Sequence, residues 1–312
     1  MKTTMPSTYR TLLQFLDQNT SRLQKAQIAA VSGKKMQKAS DNPGGVGAVL
    51  SHRSQLKTAD QSLRNAEAAL DRLRGQDTEL GQADSLLARA IELTVAAGDG
   101  IYTASERTVM ANEIRDLREE MMGLANGQMG GRYFYGGFQE QTAPFTVNPA
   151  YDPILDPRPV LYNGDNGAVQ LEISPDEKMV VNFSGNAVFQ GDENGDGAVD
   201  AGRVDVFAVL GSLEEVLRAN DQAGATAQLG NLYQAQEQIG YYRGKAGTVA
   251  NRLERSVEDL RNVQLDLTGI LSRYEDVDLA TAITEMTQQE QALEAAMAVT
   301  GRIAKLSILD YL

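Results

Sequence analysis

The chain has 312 residues, no cysteine, no tryptophan and a net charge of −13. The lack of cysteine excludes disulfides and thiolate metal sites, and the negative charge argues against nucleic acid or an anionic membrane surface as a partner, because both are bound by clustered Lys and Arg. No stretch reaches the ~20 apolar residues that a bilayer crossing needs, and the N-terminus lacks the apolar core of a secretory signal.

The N-terminal part of the sequence predicts long helices. Its first 30 residues carry an apolar stripe too thin to hold a helix without neighbours. Residues 56–91 repeat in three- and four-residue steps, which predicts a long helix that packs along its length, and a second helix is predicted over 110–124. The apolar positions of the three segments are Leu12, Leu16, Leu23 and Ala26; Leu56, Ala59, Leu63, Ala66, Leu70, Leu73, Leu80, Leu87 and Ile91; and Met110, Ile114, Leu117, Met121 and Leu124.

A run of turn residues separates the first of these helices from the second. The stretch SGKKMQKASDNPGG covers residues 32–45 and ends in Asp-Asn-Pro-Gly-Gly. Each of these residue types favours turns, and Pro and Gly interrupt helices. The sequence therefore predicts a turn here between two helices.

The C-terminal part mirrors this organisation. Residues 253–274 form another heptad stripe, a further stripe follows the acidic segment YEDVD, and residues 206–240 hold two more amphipathic segments. The apolar positions of the two stripes are Leu253, Val257, Leu260, Leu267, Leu271 and Tyr274, then Leu279, Ile283, Met286, Leu293 and Met297.

The middle of the chain has a different character. Six of the eight prolines lie between Pro144 and Pro175, where helices cannot persist. Residues 160–174 carry turn residues between two runs of alternating apolar side chains, which predicts a hairpin, and residues 179–185 are a further strand candidate.

The predicted fold is mainly α, with a long antiparallel helical rod or coiled-coil bundle formed by both ends of the chain and a small β-rich insert. We expect three domains: a terminal helical domain of residues 1–45 with 272–312, a rod domain of residues 46–140 with 206–271, and an insert of residues 141–205.

The sequence holds no pattern typical of an enzyme. His52 is the only histidine, the acidic residues of the helices alternate with Arg and Lys as on a solvated face, and neither a nucleophile elbow nor a phosphate-binding loop is present. We expect no catalytic residue and no organic cofactor.

One loop resembles a calcium-binding sequence. The stretch DENGDGAVD places oxygen-bearing side chains at positions 1, 3, 5 and 9 of an EF-hand-type loop: Asp192, Asn194, Asp196 and Asp200. Position 12, which should be a bidentate Glu, is Arg203, so binding would be weak unless Asp205 contributes. The alternative is an acidic surface turn rich in Asn-Gly and Asp-Gly.

Four stretches of the chain, residues 32–45, GRYFYGGFQEQTAPF at 131–145, VLYNGDNG at 160–167 and residues 274–312, carry a resemblance to a known family. Together they resemble the flagellin superfamily, and within it the hook–filament junction proteins, the third hook-associated proteins of flagellin type. Residues 32–45 are similar to a stretch of bacterial flagellins. The other three stretches are similar to stretches of the junction proteins, including the final Asp-Tyr-Leu of residues 274–312. The loop at 192–200 is not part of this resemblance.

The resemblance implies a structural adaptor between the flagellar hook and the filament. Such a protein is exported unfolded by the flagellar type III apparatus, lies outside the cell, and self-associates in a ring by pairing of its terminal helices. Its partners would be hook-side and filament-side axial proteins and an export chaperone that binds the C-terminal helix, with no nucleic acid and no membrane. The run at 39–45 would then be a joint between an inner terminal helix and the rod; a plain loop within one rigid bundle is the alternative. A cytoplasmic coiled-coil scaffold and a secreted calcium-dependent binding module are the competing functions.

Overall fold

The computed structural model describes residues 5–152, 156–174 and 177–309, most of which are helical. The α-helices of these ranges are α1 (Met5–Ser32), α2 (Val46–Ala97), α3 (Ala104–Ala125), α4 (Val206–Arg218), α5 (Gln222–Glu275) and α6 (Leu279–Leu309). The predicted mainly helical fold, with helices at both ends of the chain and a small insert of paired strands, is confirmed. None of the helices in the described ranges is long and apolar enough to cross a bilayer.

The chain divides into two compact units. One unit holds both ends of the chain, up to Ala59 and from Asn262, and within it α1 contacts α6. The other comprises Asp60–Arg261. The division into three domains stays a prediction, and the predicted tail motif Asp310–Leu312 lies outside the described residues.

Within Asp60–Arg261, α2 and α5 pack side by side. Three ion pairs join them: Asp77–Arg243 at 2.9 Å, Arg74–Glu254 at 2.8 Å and Glu67–Arg261 at 2.6 Å. Because the residue numbers fall along α2 while they rise along α5, the two helices are antiparallel. Exposed pairs of this kind contribute little stability, so the packing depends on the apolar side chains between the helices.

Those apolar side chains are largely the ones that the heptad pattern predicts. The buried positions of the predicted stripes in this unit include Ala66, Leu70, Leu73, Leu80, Leu87, Ile114, Met121, Leu253 and Val257. Leu63, Ile91, Met110, Leu117 and Leu124 are partly buried against them.

The strands of the described residues form three short antiparallel pairs. These are β1 (Gln128–Met129) with β2 (Arg132–Tyr133), β3 (Phe145–Val147) with β4 (Val160–Tyr162), and β5 (Gln170–Ser174) with β6 (Glu177–Val180). The predicted hairpin over residues 160–174 is wrong, because β4 and β5 each pair with another strand. The turn between them is bound elsewhere: the backbone N–H of Asp165 donates to the carbonyl of Gly136, and its Oδ1 accepts from the N–H of Phe138.

An aromatic cluster fills the centre of this region. The ring of Phe189 lies edge-on to Tyr135 at 5.2 Å and to Phe145 at 5.6 Å between centroids, and Phe145 lies 5.4 Å from Phe207. Edge-on pairs at this spacing are favourable for aromatic quadrupoles. Tyr135 and its neighbour Phe134 are both buried there.

Candidate functional site

The break between α1 and α2 is tied to the break between α5 and α6. After Ser32 the chain turns at Gly33, whose φ of +69° is a left-handed conformation that glycine adopts readily. The carbonyl of Gly33 accepts a 2.9 Å hydrogen bond from the N–H of Val277, and the N–H of Lys35 donates to the carbonyl of Glu275 at 2.7 Å. The two helix breaks, 241 residues apart at Lys34 and Glu275, thus hold each other.

Glu275 supplies the charge at this contact. Its carboxylate receives Lys34 Nζ at 3.0 Å and Arg53 Nε at 2.8 Å, while only 7% of its side chain is exposed. The hydrogen bond from Arg53 is the largest influence and, together with Lys34, lowers the pKa of Glu275 against the opposing effect of burial. A single acidic side chain therefore connects the end of α5, the segment after α1 and the first turns of α2.

The segment between α1 and α2 is organised by its own polar side chains. Asp41 Oδ2 accepts from the backbone N–H of Lys38 at 2.8 Å and of Gln37 at 3.1 Å. Asn42 Oδ1 accepts from the N–H of Gly45 at 3.0 Å, and a Cβ on Gly45 would collide with the Asn42 side chain. These contacts give Asp41, Asn42 and Gly45 specific roles in the turn that precedes α2. We name residues 33–45 the joint.

The terminal helices expose apolar side chains. In α1, Leu13, Phe15, Ile28 and Val31 are between 42% and 89% exposed. In α6 the exposed fractions of Leu279, Ile283, Met297 and Val299 lie between 48% and 55%. Three of these α6 residues belong to the stripe that the sequence predicts. Exposed apolar side chains that recur along both helices of the pair make these helices the candidate surface for another protein.

The four predicted calcium ligands do lie in one loop, but their oxygens serve the loop itself. Asp192 is 3% exposed, and its carboxylate accepts from the N–H groups of Gly195 and Gly197 and from Nδ2 of Asn186. Burial is the largest influence and opposes ionisation, yet these hydrogen bonds together lower the pKa of Asp192.

The other three residues behave similarly. Asn194 Oδ1 accepts from the N–H of Asp196, Asp196 Oδ1 from that of Ala198, and Asp200 Oδ2 from that of Glu193. Among the residues that the structure describes, no group of three or more His, Cys, Asp and Glu is arranged to hold a metal. Calcium binding by this loop stays a prediction.

Arg203, which stands at the position of the bidentate Glu, and Asp205, the nearby carboxylate that could replace that ligand, both have other contacts. The guanidinium of Arg203 lies 4.5 Å from the ring centre of Tyr241. Asp205 Oδ1 accepts from the N–H groups of Phe207 and Ala208 and so caps α4. Asp205 would have to abandon that cap in order to reach the loop.

The sequence did not reveal Glu275 or the role of Arg53. Glu275 stands within a run of acidic residues, and nothing in the sequence tells which of them faces the lysines after α1. That choice depends on the pairing of two segments that are more than 200 residues apart, which periodicity within a helix does not encode.

Comparisons with known proteins place this architecture. The family model described as the bacterial flagellin N-terminal helical region matches residues 6–137, and that of the bacterial flagellin C-terminal helical region matches residues 229–312. The flagellar hook-associated protein 3 of Escherichia coli is 25% identical over 89% of this chain and 89% of its own length. The flagellin of Bacillus subtilis is 25% identical over 92% of this chain and 91% of its own. The flagellar junction protein FlgL from Legionella pneumophila superposes with a TM-score of 0.54 and 15% identity, over 65% of this chain and 98% of that one.

The chain belongs to the flagellin family, whose members are structural proteins of the bacterial flagellum and not enzymes. It is accordingly an axial component of the flagellum that is exported and lies outside the cell. The resemblance that the sequence motifs carry is confirmed.

Proposed function

We propose that this protein is the structural adaptor that joins the flagellar hook to the filament. A hook-associated protein 3 and a flagellin match the chain at the same identity, so identity alone does not select between junction and filament. The motif at 131–145 favours the junction role, because it resembles the corresponding stretch of the junction proteins. In the structure the guanidinium of Arg72 in α2 donates hydrogen bonds to the backbone carbonyls of Tyr133 and Phe134 in this motif.

The exposed apolar residues of α1 and α6 are the observation that carries the assembly part of the proposal. Apolar surface removed from water contributes roughly 25 cal/mol per Å², which is offset in part by the entropic cost of association. A helix pair whose apolar residues stay exposed therefore gains stability when neighbouring helices cover it. Pairing of the terminal helices with those of other copies, in a ring between hook-side and filament-side axial proteins, supplies that cover.

The same surface suits an export chaperone before assembly. Leu279 and Ile283 are exposed on α6 and could enter a groove or pair with a partner helix. Removing residues 272–312 should abolish co-purification with the chaperone from cells whose flagellar export is blocked. Undiminished co-purification would contradict this assignment.

Deletion of the gene tests the adaptor function. We expect cells that keep their hooks, lack filaments and shed flagellin into the medium, and we expect the full-length gene to restore filaments. Normal filaments in the deletion strain, together with a protein that wild-type cells retain in the cytoplasm, would favour a cytoplasmic scaffold instead.

A further inference from the structure

A groove of about 470 Å³ opens beside the joint. Four lysines line it, Lys25, Lys34, Lys35 and Lys38, and Ile28 and Ala29 of α1 contribute apolar surface. The chain has nine lysines in all, and four of them are gathered here although its net charge is −13. We name this feature the lysine groove.

Part of this positive charge has no acidic neighbour in contact. Lys34 is paired with Glu275, and Lys35 Nζ donates to the carbonyl of Arg273 at 2.6 Å. Within the described ranges, Lys25 and Lys38 form no salt bridge. The one carboxylate in the groove is that of Asp41. Hydrogen bonds from the backbone N–H groups of Lys38 and Gln37, and to a smaller extent the charges of Lys25 and Lys38, lower its pKa.

The opposite charge lies on the other helix of the same pair. Residues 10–41 contain six basic and two acidic side chains, whereas residues 279–301 of α6 contain three acidic side chains and no basic one. These three are Glu285, Glu290 and Glu294, and in the part of the chain that the structure describes none of them forms a salt bridge. Three of the six basic side chains lie in α1 and three in the joint that follows it, while Arg302 comes only after the acidic part of α6. The positive charge is therefore concentrated towards the joint, beside the acidic first turns of α6.

Lys25 on α1 and Glu285 on α6 also lie at similar distances along their helices from the joint. The bond from Val277 to Gly33 holds the end of α1 beside the start of α6. Lys25 lies seven residues before Ser32, and Glu285 lies six residues after Leu279, which correspond to about 10 Å and about 9 Å along the two helices. Copies placed side by side at the same level would therefore bring Lys25 of one opposite Glu285 of the next.

We propose that the lysine groove receives the turn of α6 around Glu285 from a second copy of this chain. This inference rests on the ring assembly proposed above. Because the donor and acceptor surfaces differ, the contact is head-to-tail, the kind of contact that closes a ring when its rotation permits. Exposed charge pairs give little affinity but steer association and fix register, so the apolar residues hold the copies together and the lysine groove selects their alignment.

Site-specific cross-linking tests the contact. Because the chain has no native cysteine, any disulfide that it forms must use an introduced cysteine. Lys25→Cys and Glu285→Cys chains are expressed together in one strain, and each is also expressed alone. Keeping the two cysteines on separate chains excludes a bond within one copy. Purified flagella are oxidised and the products are separated by size under denaturing, non-reducing conditions.

We expect a covalent dimer of the two variants only in the mixed strain. If both variants are present in the flagella and that dimer does not form, the inference is overturned and the adaptor function still stands. A dimer with a different protein has the same two consequences. Absence of the protein from purified flagella would overturn the adaptor function as well.

Charge reversal gives an independent readout. Lys25→Glu should lower the fraction of cells that carry filaments several-fold, and Glu285→Lys in the same chain should restore it. Lys57→Glu, on the exposed surface of α2 outside the lysine groove, is the matched control and should have no effect. A Lys25→Glu strain that matches the control would contradict the proposal.

Discussion

Asp205 is a buried carboxylate whose ionisation affects the stability of the fold. It is 8% exposed and caps α4 through hydrogen bonds from the N–H groups of Phe207 and Ala208, at 2.9 and 3.0 Å. Burial raises the pKa of Asp205 to about 7, although those two hydrogen bonds and the charge of Arg158 oppose the shift. An unfolded Asp titrates near pH 4, so the folded chain holds a proton that the unfolded chain releases between about pH 4 and 7.

The free energy of unfolding should therefore fall as the pH rises from about 4 to 7. The full contribution of Asp205 is present below pH 4, and by linkage its loss amounts to roughly 3–5 kcal/mol above pH 7. Asp205→Asn keeps an acceptor for the cap and removes the titration. In denaturant titrations at pH 8 the variant should be more stable than the wild type, and the two should converge at low pH. A constant difference across the pH range would contradict this account.

Glu275 titrates in the opposite direction. Because its pKa is lowered, its contribution is present above its ordinary value of 4.5 and is lost as the pH falls through the folded value. Glu275→Gln removes the charge that Arg53 and Lys34 share, and hydrogen bonds to charged groups contribute about 1.5–3 kcal/mol.

Hydrogen exchange measures this effect locally. We expect faster exchange of the Lys35 and Val277 amides in Glu275→Gln, since both bonds lie beside the lost ion pairs. Glu254→Gln is the control, because its pair with Arg74 is about half exposed on both sides and should change little. Equal protection in the Glu275 variant and the wild type would show that the joint does not depend on this charge.

Among the elements, the long helices follow from the sequence and the strands only in part. Heptad repeats identify α2 and α5 because apolar spacing reports directly which face is buried. The pairing of β4 with β3 could not be read from residues 160–174, since an Asn-Gly turn can end a strand without folding it back on the next one. Here Asp165 binds the backbone at 136–138, a contact between segments that the local pattern does not describe.

The seam between α2 and α5 can be tested at one leucine. Leu70 is 6% exposed, so Leu70→Ala should lower the free energy of unfolding by about 2–5 kcal/mol through lost apolar contacts and the cavity left behind. Leu265, on α5, is 70% exposed, and Leu265→Ala should cost less than about 0.5 kcal/mol. Denaturant unfolding of both variants compares them, and similar losses would mean that the predicted stripe is not the buried face.

The loop at 192–200 should have little affinity for calcium. Its oxygens accept backbone N–H groups, and Arg203 occupies the place of the bidentate Glu, so we expect a dissociation constant no better than about 10⁻⁴–10⁻³ M. Calorimetry on the full chain, with Asp196→Ala as the control, measures it. Micromolar binding that the control abolishes would contradict this expectation.

At the scale of the whole molecule, the sequence identified the breaks in the helices but not how they are held. Asp-Asn-Pro-Gly-Gly marks the start of α2 because each residue type has a local reason to interrupt a helix. The clamp on Glu275 and the lysine groove arise only when the segments near residues 34 and 275 meet. The exposure of Leu279 and Ile283 likewise could not be predicted from the sequence. An apolar stripe has the same spacing whether the helix that covers it belongs to the same chain or to a neighbouring molecule.

The position of the protein along intact flagella tests the adaptor function most directly. Gold-labelled antibodies against the chain, imaged by electron microscopy, should mark one narrow band between the hook and the filament, and the deletion strain should show no label. Hooks from a strain without its filament flagellin should carry the label at their outer end. Label distributed along the length of the filament would contradict the junction role and identify the chain as a filament subunit.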